Sequence, residues 1–213
     1  MENIRILCYG DSNTWGYKGG DNGKRYGINE RWTRILADLL GNKFEIIEEG
    51  LNGRTLTADD ILGRNGYNYL TPCLYTHDPV DLVILMLGTN ELKTRFNKTA
   101  QELGETLDKY FVKTILETKS QFKESYPKLL IVTPVAIDET ADHCQEDNKY
   151  VGATQKSKEL NNIYKKIAEK HNCYFLNNEG LTVGEDGVHL DKQSHQKLAE
   201  LLHQIIRGIY TGE

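Results

Sequence analysis

Ser12 is the side chain best placed to do chemistry in this sequence, and its companions decide which chemistry. It follows an apolar run from Ile4 and lies in Gly10-Asp11-Ser12-Asn13-Thr14-Trp15-Gly16, where small and polar residues abruptly replace apolar ones. An apolar segment broken by Gly reads as a buried strand ending in a tight turn, which leaves a hydroxyl facing a crevice. Taken alone, the triplet also reads as a turn with a capping serine. A serine hydroxyl is inert at neutral pH unless a base sits beside it.

Six histidines could supply that base. His195 and His203 fall in a terminal helical stretch among Lys, Gln and Glu, which reads as a solvated or edge position. His171 ends a helix, where free carbonyls explain it. His77 and His143 lie in polar loops without an evident orienting partner. His189 differs, because it follows Asp186 by three residues in a glycine-containing turn. That separation lets the carboxylate hold one ring nitrogen and leaves the other to take a proton from Ser12. The rival reading of Asp-x-x-His is a helix cap with an incidental imidazole.

Acyl transfer also needs donors for an oxyanion. Asn90 offers a side-chain amide at the end of an apolar strand. Gly53 can bring its N–H close to a substrate because no Cβ intervenes. The Ser12 N–H is the third donor.

The elements that must position these groups alternate along the chain. Strands are expected at the Ile4 run, 44–49, 80–87, 129–133 and 173–176, with 80–87 apolar enough to be covered on both faces. Helices are expected over 30–40, 99–125, 156–171 and 191–210, the second carrying Leu103, Leu107, Phe111, Ile115 and Phe122 on one stripe. The loop 16–27 is read as a rim of the crevice, and 136–154 as a long mobile loop near it. The segment 58–77 mixes a short helical piece with scattered Gly and Tyr, and reads as surface packing, a subunit interface or a wall of the site. Strand–helix alternation predicts a three-layer α/β/α sandwich with a five-stranded parallel, flavodoxin-like doubly wound sheet.

The length of 213 residues suits a single domain over 1–213. A net charge of −5 argues against nucleic acid or an anionic membrane as partner. No run is long enough for a membrane span, and the first strand begins almost at Met1, so a cytoplasmic location is expected. Cys8, Cys73, Cys144 and Cys173 form no Cys-x-x-Cys pair and read as small buried hydrophobes rather than a disulfide framework or zinc site. Neither metal nor cofactor is expected.

Gly10-Asp11-Ser12, Gly53, Gly88-Thr89-Asn90 and Asp186-Gly187-Val188-His189 resemble, in order, the four sequence blocks of the SGNH (GDSL-type) hydrolases. The longer blocks Gly10 to Gly16, Glu49 to Thr55 and Leu87 to Lys93 resemble the bacterial arylesterase/acyltransferase branch. The resemblance implies Ser12 as nucleophile, His189 as base and then acid, and Asp186 as its orienter. It implies an oxyanion hole from Ser12, Gly53 and Asn90, and suggests acyl transfer to alcohols and a homo-oligomer. Two positions depart from the family. Asn13 stands where many members have Leu and is expected to alter the pocket wall, while Glu91 stands where Asp is commoner, leaving its role open.

The resulting expectation is a serine esterase acting on small, short-acyl or aryl esters. Asn13, Trp15 and Val188 are the expected substrate-binding residues. A carbohydrate O-deacetylase with the same residues is the nearest rival. A flavodoxin-like phosphate-binding module, with Ser12-Asn13-Thr14 around an anion, is a rival of another class, as is a catalytically idle interaction domain.

Overall fold

The computed structural model describes residues 3–21, 23–59 and 63–211. Strand β1 (Ile4–Gly10) leads into the one-turn helix α1 (Ser12–Trp15). Helix α2 (Trp32–Leu40), strand β2 (Phe44–Gly50), helix α3 (Gly66–Thr76) and strand β3 (Leu82–Met86) follow. After two 3₁₀ turns at Asn90–Leu92 and Thr94–Phe96, helix α4 (Ala100–Thr106) begins at a Thr99–Glu102 capping box. It passes through a π-helical turn at Leu107–Val112 into α5 (Lys113–Glu117). Strand β4 (Lys128–Val132), the short helix α6 (Asp142–Gln145), α7 (Ala153–Lys170), β5 (Tyr174–Leu176) and α8 (Lys192–Thr211) complete the order.

The sheet order is β2-β1-β3-β4-β5, with every pair parallel. This is the five-stranded, doubly wound arrangement expected from the alternation. Residues alternate between the faces with period two. Ile6, Cys8, Leu82, Ile84, Met86 and Leu130 pack with α2 and α8, while Leu7, Tyr9, Val83, Leu85 and Ile131 pack with α3, α4 and α7. Each fully buried leucine of this kind contributes roughly 1.5–3 kcal/mol of apolar transfer.

Register fixes where the site falls. Gly10 pairs with Gly50 on one side and with Met86 on the other. Three strands therefore stop at one level, and Ser12, Gly53 and Asn90 all leave from that edge. The connections reverse direction between β1 and β3, the position where such sheets open a crevice.

Two sequence expectations differ from the structure, and one segment left unplaced is now placed. The helix expected over 99–125 ends at Glu117, and Phe122 lies exposed rather than on an inward stripe. Ser120 Oγ accepts the N–H groups of Phe122 (3.1 Å) and Lys123 (3.0 Å), and Asp78 accepts that of Gln121 (2.6 Å), so side chains replace helical carbonyls there. The unplaced segment 58–77 holds α3, begun by Asn65, whose side chain accepts the Asn68 N–H at 3.2 Å. His195 is completely buried rather than solvated. Its Nδ1 accepts the Trp32 N–H at 3.2 Å, its ring packs 4.7 Å from Tyr26, and burial pushes its pKa down to about 4.

Candidate active site

Ser12 is the first residue of α1, and Asp11 caps that turn by accepting the Asn13 N–H at 2.9 Å. Gly10 is required just before it, because a Cβ there would collide with the Thr14 side chain and the Met86 carbonyl. The turn thus presses against the sheet and presents Ser12, 5% exposed, at the crevice floor.

His189 arrives from the turn between β5 and α8. Its Nε2 lies 2.8 Å from Ser12 Oγ and its Nδ1 2.5 Å from Asp186 Oδ2. Asp186 Oδ1 accepts the N–H groups of Val188 and His189, both at 3.0 Å, around Gly187 at φ +71°. Burial alone would raise the Asp186 carboxyl. The hydrogen bond and charge of His189, with the two N–H groups, outweigh burial and hold the carboxyl at about 2. A Cβ on Gly19 would meet the Asp186 carboxylate, and the Tyr17 ring lies 4.3 Å from the imidazole. The loop expected as a rim therefore covers this pair from outside.

Gly53 and Asn90 line the same cleft as Ser12. Gly53 has φ +77°, and the Arg64 guanidinium occupies the space where its Cβ would stand. No hydrogen bond among the described residues takes up the Ser12 or Gly53 N–H. Asn90 is held at both ends: Nδ2 donates to the Arg54 carbonyl at 3.0 Å, and Lys93 Nζ donates to Oδ1 at 2.7 Å. One amide hydrogen is left for the crevice. Arg54 is buried, donates to the Gly10 and Glu49 carbonyls, and lies 4.1 Å over the Tyr9 ring. Glu91 accepts the Leu56 N–H and so ties the Gly53 turn to the end of β3. Burial pushes its carboxyl up to about 7, backbone N–H groups offsetting only part of that. Glu91 stands behind the site and does not line it.

The cleft around Ser12 has a volume of about 260 Å³ and includes Val188 in its lining. Asn13 and Trp15 stay outside it. The Asn13 side chain turns inward, accepting the Leu190 N–H at 2.8 Å and donating to the Val188 carbonyl at 3.4 Å. It therefore fastens the Ser12 turn to the His189 turn instead of forming a pocket wall. Trp15 packs on Tyr17 and under the Arg25 guanidinium, on the outer side of the loop. Residues that sequence reasoning did not single out complete the lining, chiefly Tyr17, Arg64, Lys93, His143, Lys149 and Tyr150. Lys93 stands at the end of the quoted Leu87 to Lys93 block, and 143–150 falls in the loop expected near the site. Arg64 carried no sequence signal.

One group of described residues, Glu49, Cys73 and His77, brings three metal-ligand types within 4.8 Å. Burial, then the Glu49 charge, pushes the Cys73 thiol up to about 12, and Arg54 stands 3.9 Å from Glu49. Glu49 is already engaged by the His77 imidazole at 2.8 Å and lies beside the Arg54 guanidinium.

Residues 8–203 match the GDSL-like Lipase/Acylhydrolase family. Among solved structures, the chain superposes on the M. smegmatis aryl esterase with a TM-score of 0.88 at 36% identity, covering 96% of this chain and 99% of that one. A carbohydrate acetylesterase from Sinorhizobium meliloti superposes with a TM-score of 0.91 at 33% identity, covering 98% of this chain and all of that one. An acetylxylan esterase from Xylanibacter ruminicola is 22% identical over 96% of this chain, which spans only 43% of that protein's length. With its match running almost end to end, the chain belongs to the GDSL-like lipase/acylhydrolase family.

Proposed function

We propose that this chain hydrolyses small carboxylic esters through an acyl-enzyme on Ser12. The observation that carries the reading is the unbroken relay from Asp186 through His189 to Ser12 Oγ, at 2.5 and 2.8 Å, in a cleft that Gly53 and Asn90 also line. His189 Nε2 takes the hydroxyl proton as Ser12 Oγ bonds to the ester carbonyl carbon. The oxyanion accepts from the N–H groups of Ser12 and Gly53 and from the Asn90 amide. The carbon–oxygen bond to the alcohol then breaks, and the alcohol leaves with the proton held by His189. Water repeats the sequence, releasing the acid and returning the proton to Ser12.

Resemblance to the arylesterase/acyltransferase branch adds transfer to alcohols in place of water, and a homo-oligomer. Among the described residues no helix is long and apolar enough to cross a membrane. A second reading, removal of acetyl groups from carbohydrate, draws on the acetylesterase and acetylxylan esterase relatives. Comparing hydrolysis of an aryl acetate with that of an acetylated sugar separates the two. For the central reading, Ser12→Ala is expected to lower kcat/KM by about four orders of magnitude or more with the fold intact. Turnover within tenfold of the parent would reject it.

A further inference from the structure

Lys93 closes the turn that holds the Asn90 amide. Asn90–Leu92 is a 3₁₀ turn, and the Lys93 N–H donates to the Asn90 carbonyl at 3.3 Å. At about three residues per turn, side chains 90 and 93 stand one above the other. Lys93 Nζ accordingly donates to Asn90 Oδ1 at 2.7 Å. The far end of the amide meets the backbone, where Nδ2 donates to the Arg54 carbonyl at 3.0 Å.

An ammonium is costly in this place. Lys93 is half-buried and lines the cleft beside Asn90. Burial, then the charges of Arg95 and Lys149, push it down to about 8, which still leaves it protonated at neutral pH. A lysine withdrawn from water normally pairs with a carboxylate. Here the acids stand off. Glu146 and Asp147 line the neighbouring recess, Glu146 lies 3.5 Å from His143, and Asp11 acts on Lys93 only through space. Among the described residues no ion pair joins Lys93 to an acid, and the acceptor that its ammonium meets is the Asn90 oxygen. Packing alone does not require this, since an apolar chain of similar volume would fill the space with no charge to desolvate.

The arrangement suits a donor of hydrogen bonds. A cation on Oδ1 draws electron density from the carboxamide and strengthens donation from Nδ2. Held at both ends, the amide cannot turn its oxygen towards the cleft, where it would repel an oxyanion. Both effects grow as charge builds on the substrate carbonyl, so they belong to the chemical step rather than to binding. We propose that Lys93 is a positioning residue of the oxyanion hole, locking and polarising the Asn90 amide and acting on turnover through it. The proposal rests on the esterase reading, in which Asn90 receives the oxyanion, and adds the group that makes that amide an effective donor.

A double-substitution cycle on an aryl acetate tests it, with Lys93→Met read in the parent and in Asn90→Ala. In the parent, kcat is expected to fall about tenfold, with KM changed less than about threefold. In Asn90→Ala the same substitution should change kcat less than about twofold, because the amide through which it acts is gone. A lysine that touched substrate, or only supported the fold, would cost as much in both backgrounds. A tenfold loss retained in Asn90→Ala, a loss confined to KM, or no loss in the parent would each overturn the proposal. Lys93→Ala repeats the cycle with the same expected outcomes, so a folding defect peculiar to one variant does not decide the matter. Nuclear magnetic resonance of ¹⁵N-labelled, substrate-free protein reads the amide without turnover. The Asn90 Nδ2 signal is expected to move upfield in Lys93→Met, and an unmoved signal would overturn the lock. A parent that fails to cleave the ester would instead reject the esterase reading, and with it the share of Lys93 in turnover.

Discussion

Asp186 and Glu91 are two buried carboxyls on opposite sides of the site, each standing behind a residue that lines the cleft, and their environments drive them apart. Both are penalised by burial. Asp186 receives two backbone N–H groups and an imidazole, and is held at about 2. Glu91 receives backbone N–H groups but no imidazole, has one oxygen without a partner among the described residues, and is pushed up to about 7. The comparison teaches that the imidazole and its hydrogen bonds overcome burial at Asp186, whereas burial prevails at the more deeply buried Glu91. In the proposed mechanism the first side moves protons and the second receives charge.

Removing either member breaks the comparison differently. Asp186→Asn keeps the shape but cannot hold the imidazole in the productive tautomer, so kcat is expected to fall about 10³–10⁴-fold. Asn90→Ala removes one oxyanion donor and should lower kcat about 10²-fold, with a smaller change in KM. Steady-state kinetics on an aryl acetate measures both. If Asn90→Ala proved nearly silent, the second side would not be receiving charge.

Glu91→Gln is expected to change kcat least, within about threefold, because glutamine still accepts the Leu56 N–H. Its signature lies in stability against pH. The folded pKa of Glu91 is raised above its ordinary 4.5, so its contribution is fully present below about 4.5 and is lost as pH rises through about 7. Asp186 has the opposite sign: its contribution is present above 3.8 and is lost as pH falls through about 2. Thermal melts of parent and Glu91→Gln should therefore diverge between about pH 4.5 and pH 7, the parent losing more as pH rises. Parallel melts across that window would remove the contrast.

The sheet was legible in the sequence because apolar runs such as Leu82 to Met86 have few alternatives to a buried central strand. Ser12, Gly53 and Asn90 stood out because each follows a strand end among small or polar residues, and Asp186 and His189 because of their three-residue spacing; the structure brings Ser12, Asp186 and His189 into one hydrogen-bonded chain, and the roles given to all five belong to the proposal. Side-chain direction was not. Asn13 reads as pocket lining by type, yet the Leu190 N–H and Val188 carbonyl needed partners and drew its amide inward. His195 looked solvated from its charged neighbours. Its spacing to Leu198, Leu202 and Ile206 places it on the buried stripe of α8, a signal that helical periodicity did contain. Pro72 and the scattered tyrosines blurred the bounds of the short helical piece expected in 58–77, which is α3 and whose start depends on the Asn65 cap. Arg64 left no trace, because it comes from a loop separate from those of Lys93 and Lys149 and meets them only in the fold.

Fluorophosphonate labelling with the adduct located by mass spectrometry tests most directly whether the Asp186–His189 pair activates one hydroxyl. A single adduct on Ser12, formed much more slowly in His189→Ala, is the expected result. An adduct on another residue, or Ser12 labelling that proceeds at the parent rate without His189, would contradict it.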